Sequence, residues 1–143
     1  MEAAPERVEQ LRKLLLCNGI ELGDDDVAVQ ELNDWFRAGV ESNPDNPERL
    51  RNLWYAVVND VAMFLGGLVV SRNPNLHWAL FTGGKRDVAF HKHVVMGFSK
   101  VANPKYNLDI DRIVATYAYQ IIEGQDVDPE FFRRIMDMAA ADA

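Results

Sequence analysis

Cysteine is nearly absent from this chain. The single thiol, Cys17, rules out an internal disulfide and fits a reducing compartment. It follows Leu14, Leu15 and Leu16, which reads as small apolar filler in a helix. Serine is scarce too. Ser42, Ser71 and Ser99 each adjoin a turn, and none sits in a nucleophile elbow. Long apolar runs are also missing. The longest, Val61 to Val70, falls well short of the roughly 20 residues that span a bilayer. The N-terminal MEAAPERVEQ is acidic and leads into no apolar segment, so no targeting signal is expected. Positive charge is the minority sign: 15 Lys and Arg stand against 22 Asp and Glu, for a net charge of −7. That balance argues against general binding to DNA or RNA. These shortages point to a cytoplasmic protein with neither a membrane nor a nucleic-acid partner.

What is present suits one globular domain over residues 1–143, with 48% hydrophobic and 26% charged residues. Prolines mark the joints. Four lie in Asn-Pro pairs, at 43–44, 46–47, 73–74 and 103–104, where the residue before Pro avoids the helical region. A first helix runs from about Pro5 to Asn18 and stops at Gly19. A second starts at the Asp24-Asp25-Asp26 run, whose carboxylates cap free N–H groups, and carries the stripe Val29, Leu32, Trp35, Phe36 and Val40. A third spans about 47–72, with Asn46 as its cap and Pro47 in its first turn. Leu50, Leu53, Trp54, Val57, Val58, Val61, Phe64, Leu65 and Leu68 recur at helical steps, and its second half is apolar nearly all round. A helix of that kind is buried. Gly66-Gly67 inside it predicts the close approach of another backbone, from a sheet that crosses there.

The pattern then changes. HWALFT and DVAFHKHVVMGF read as strands, with Val94, Met96 and Phe98 facing the core. After a loop at 99–108, Asp109 caps a fourth helix that closes near Gly124. Asp128-Pro129-Glu130 opens a fifth, and a tail at about 139–143 frays. The fold class is therefore α+β: about five helices on a small antiparallel sheet of two or three strands.

The stretch LHWALFTGGKRDVAFHKHVVMGF holds the candidate sites. Its Gly-Gly-Lys lacks the upstream glycine and the following Ser or Thr of a phosphate loop, so Thr82-Gly83-Gly84-Lys85 reads as a hairpin turn. His91 and His93 share a strand face and are weak metal candidates. A metal normally needs three or four ligands, and only His77 or Asp87 offer to join. No metal or other cofactor is expected. Lys85, Arg86, Lys92, Lys100 and Lys105 form a basic island in an acidic chain. Asp60 lies at the edge of the third helix's apolar stripe and calls for a cation, Arg112 or Arg86. It is either half of an ion pair or a ligand-binding carboxylate.

The same stretch, a loop, and DIDRIVATYAYQIIEG together resemble small bacterial α+β proteins of unknown function, and the build resembles some immunity proteins of bacterial toxin systems. The likeness covers roughly residues 50–124 and brings no functional residues with it. It implies helices preceding a short antiparallel sheet, closed by another helix. The reading that follows is a non-catalytic module that binds another protein, an acidic one if the basic island is the contact. The alternative is a domain that binds a small anionic ligand in a cleft between the hairpin and the third helix.

Overall fold

The computed structural model describes residues 4–82 and 92–143. Within them lie α1 (Ala4–Cys17), α2 (Asp26–Gly39), α3 (Asn52–Arg72), β1 (His77–Leu80), β2 (His93–Met96), α4 (Ile110–Ile122) and α5 (Phe131–Asp142). Gly83 and Gly84, expected in a turn, Val88 and Phe90, expected in a strand, and Lys85, Arg86, Asp87 and His91 lie outside the described residues.

Helix starts follow side-chain chemistry. Asp25 caps α2, its carboxylate accepting the Ala28 N–H at 2.8 Å. Asp109 caps α4 through the Arg112 N–H. Gly19, at φ +77°, ends α1 as a left-handed residue should. The start of α3 departs from the pattern. Asn46 does accept the Glu48 N–H, but Asn46 to Arg49 form one isolated turn, and the helix begins only at Asn52. Leu50 is buried from outside the helix, bridged to Ser42, while Leu53 is 61% exposed. The buried stripe thus starts at Trp54.

From there α3 is the pillar, packed against α1, α4 and α5. Val61, Phe64, Leu65 and Leu68 are all buried. By length and composition α3 would cross a bilayer, but most of its apolar window is buried inside this fold. Around it, Phe36 of α2 gathers Trp54, Tyr117 and Phe132, with ring centroids 5.4–5.9 Å away. Cys17, expected inside, is exposed. The inward residues of α1 are Leu11 and Leu15, and Cys17 lies about 200° around the helix from Leu15. The tail expected to fray is the last turn of α5. Ala139 is buried, and the Tyr106 hydroxyl donates to Asp142 at 3.1 Å.

The sheet is an antiparallel pair with His77 opposite Met96 and Leu80 opposite His93. The Phe81 N–H continues it to the Lys92 carbonyl, and Leu108 bridges Val95 on the other edge. The faces are only partly the expected ones, since Phe98 is in the main core as expected but Val94 and Met96 are not. Val95 joins the main core, while Val94 packs with Phe81 and Met96 in a small second cluster. Since side chains alternate along a strand, His93 shares the inner face with Val95.

The ribbon crosses α3 at Gly66, but a side chain rather than a backbone makes the approach. A Cβ on Gly66 would lie 2.3 Å from carbons of the Trp78 ring, whereas one on Gly67 meets nothing within 4 Å. The two glycines should therefore respond differently to alanine. Gly67→Ala is expected to gain up to about 1 kcal/mol from helix propensity. Gly66→Ala should lose stability, because overpacking of about 1–3 kcal/mol outweighs that gain. Urea melts decide it. Equal stabilisation of both variants would mean that the indole gives way freely.

Candidate functional site

A cleft of about 210 Å³ opens where the ribbon meets α3 and α4. Helical spacing puts Asn59, Ala62 and Met63 on one side of α3, and these form the floor. Trp78, half-buried on β1, forms a wall. Lys92 and His93 enter from the start of β2, and Asp111 from the first turn of α4.

The electrostatics centre on α4. Asp109 is 8% exposed. One carboxylate oxygen caps the helix, and the other is buried without a hydrogen-bond donor, 3.6 Å from the Lys92 ammonium. Burial pushes the Asp111 carboxyl above its ordinary value of 3.8. Lys92 pulls it down in part, and the charge of Asp109 adds to the push. Lys92 thus serves two acids at once.

That shift has a sign that can be checked. The folded protein holds the Asp111 proton more tightly than the unfolded chain does. Stability from this group is fully present below pH 3.8 and is lost as pH rises through the folded value. Among the described residues, Lys92 and Asp109 are the charged groups that act on it, and His93 shares the pocket lining. Asp111→Asn should remove this loss, so the variant gains on the parent as pH rises from 3.8 through the folded value. Parallel stability curves over that range would refute the assignment.

The sequence-derived candidates scatter. Asp60 is bound on both oxygens by Arg7 of α1, at 2.9 and 2.8 Å, not by Arg112. Its chemistry is that of a bidentate ion pair. His77 and His93 sit at opposite ends of the ribbon, three residues or about 10 Å apart along it, so His77 does not complete a chelate with His93. Among the described residues, no three His, Cys, Asp or Glu side chains gather as metal ligands do. The basic island divides as well. Lys92 precedes β2 and Lys100 and Lys105 follow it, with a strand of about 13 Å between.

Two polar clusters escaped the sequence reading. Asn33, fully buried, donates to the Tyr117 hydroxyl at 3.0 Å and accepts the Phe132 N–H at 2.8 Å. The Tyr55 and Tyr119 hydroxyls lie 3.0 Å apart, with Arg49 donating to Tyr55. The Tyr119 hydroxyl and then Arg49 hold Tyr55 below its usual range, while the same bond raises Tyr119. This pair is not part of the cleft. No protein-family model, curated protein or solved structure matches this chain.

Proposed function

We propose that this is a non-catalytic binding protein that takes a small ligand in the cleft between the ribbon and the α3–α4 pair. One observation carries the reading: Asn59, Lys92, His93 and Asp111 converge from three separate elements on a pocket walled by Trp78 and Met63. An apolar pocket with a few convergent polar groups is the usual form of a ligand site. Its 210 Å³ lies below the roughly 300–1,000 Å³ of drug-sized sites, so the occupant is small.

Binding rather than catalysis is the simpler reading of the described residues, among which no activated nucleophile is found. Among the described residues, no histidine hydrogen-bonds to a serine, a cysteine or a carboxylate, and the Ser99 hydroxyl is bonded to the Ala143 carbonyl. An immunity-like, protein-binding role would need a continuous contact face. The basic island offers less of one, because the strand of about 13 Å that parts Lys92 from Lys100 and Lys105 exceeds the roughly 8 Å over which exposed charges act together at physiological salt. A cytoplasmic setting suits the lone thiol.

The test is a titration of uniformly ¹⁵N-labelled protein with fragments of about ten non-hydrogen atoms. The three indole N–H signals are read, and that of Trp78 is assigned by Trp78→Phe. Saturable movement of the Trp78 signal, with Trp35 and Trp54 still, supports the cleft. If no fragment moves Trp78 selectively, the reading fails.

A further inference from the structure

Building on that reading of the cleft, we infer that its ligand is a small organic cation: an ammonium on a short apolar or aromatic body, seated between the Trp78 ring and the carboxylates at the start of α4. The sequence points the other way, towards an anion drawn by the basic island. The cleft's own charges reverse this. Asp111, in the first turn of α4, lines the pocket, Asp109 is the cap residue of the same helix, and Lys92 is the one lysine or arginine among the described residues that line the pocket. Among the described residues, two carboxylates, one in the lining and one at the cap, share a single ammonium.

A bare helix N-terminus would favour an anion. Here the position is already taken, because Asp109 accepts the Arg112 N–H and Asp111 occupies the first turn. An incoming anion would meet both. A cation meets Asp111 directly, and the incompletely paired charge of Asp109 favours it from outside the lining. Asp109 keeps one buried oxygen without a donor, and the 3.6 Å to Lys92 exceeds the roughly 2.7–2.9 Å of a charge-assisted hydrogen bond. Burial of Asp111 acts in the same sense, since its carboxylate gains most from a second positive charge. The walls suit the rest of such a molecule. An indole face attracts a cation, and Met63 adapts to an apolar body. The pocket holds a volume of about seven waters, at about 30 Å³ each, which fits an amine the size of benzylammonium.

Benzylammonium, benzyl alcohol and benzoate share a shape and differ in charge. Each is titrated into the full chain at one ionic strength, with the Trp78 indole N–H as the readout. Benzylammonium should bind about five- to tenfold more tightly than benzyl alcohol, with benzoate weakest. In Asp111→Asn the preference for benzylammonium should shrink towards parity. If benzyl alcohol or benzoate binds as tightly as benzylammonium, the cation inference falls and the cleft stands. Equal affinity of parent and Asp111→Asn for benzylammonium also overturns it. If none of the three moves Trp78, cleft and cation fall together.

Discussion

Phe64→Ala should lower stability by about 3–5 kcal/mol, the range for emptying a buried phenylalanine site. Phe64 is 6% exposed in the middle of α3, with Val61 and Leu65 beside it fully buried. Two terms add: the lost transfer energy of the ring, and the cavity left where neighbours do not close in. A detail of the site moves the value within its range. Phe64 borders a shallow hollow shared with Arg12 and Leu22, so solvent can reach part of the space the ring vacates. The cost should therefore fall nearer 3 than 5 kcal/mol. Even that is a large share of the roughly 5–15 kcal/mol that holds a domain together. Guanidinium melts measure it. A loss under about 1 kcal/mol would show that α3 repacks around the gap and does not act as a rigid pillar.

Asn33→Ala should cost about 2–5 kcal/mol, a large effect for a short side chain. The amide joins three helices. It projects from α2, donates to Tyr117 of α4 and accepts the Phe132 N–H in the first turn of α5. Glu130, the residue at the cap position of α5, makes no side-chain capping bond. Asn33 thus caps α5 from another helix. Removing it deletes two hydrogen bonds of about 1 kcal/mol each and strands a buried N–H, which adds about 1–3 kcal/mol if no water replaces the amide. Tyr117 keeps a partner, since its hydroxyl also donates to the Asp128 carbonyl, and this bounds the loss from above. Melts give the total, and hydrogen exchange at Phe132 isolates the cap. A variant that loses stability with Phe132 still protected would assign the effect to packing alone.

Much of the fold was legible because it rests on periodicity and capping, which are local. The five helices, the Asp25 and Asp109 caps, the buried Val61 to Leu68 segment and the antiparallel pair all follow from spacing. The errors came where two signals competed. Asn46-Pro47 carries a cap and a first-turn proline, yet it closes only a turn, because Leu50 is needed in the core from outside the helix. In β2, Val94 and Val95 are both buried, so alternation could not say which face meets α3. The partner of Asp60 was within reach. Arg7, Leu11 and Leu15 are four apart, which puts the arginine on the inward face of α1. The cleft was harder to see. Its walls come from residues 59 to 111, and a pocket is what packed elements leave between them, which no single segment encodes.

The cap on α5 also orders events in time. Asn33 and Phe132 are 99 residues apart, and Asn33 and Tyr117 are 84 apart. The helices themselves can flicker into being within about a microsecond. Docking α5 must wait until α2 and α4 have met, because its N–H partner and the rings beneath it come from both. On the ribosome, which makes chains N-terminus first, Phe36 and Tyr117 therefore stay uncovered until the segment carrying Phe132 has been synthesised. Until then the nascent chain presents an aromatic surface that α5 later covers.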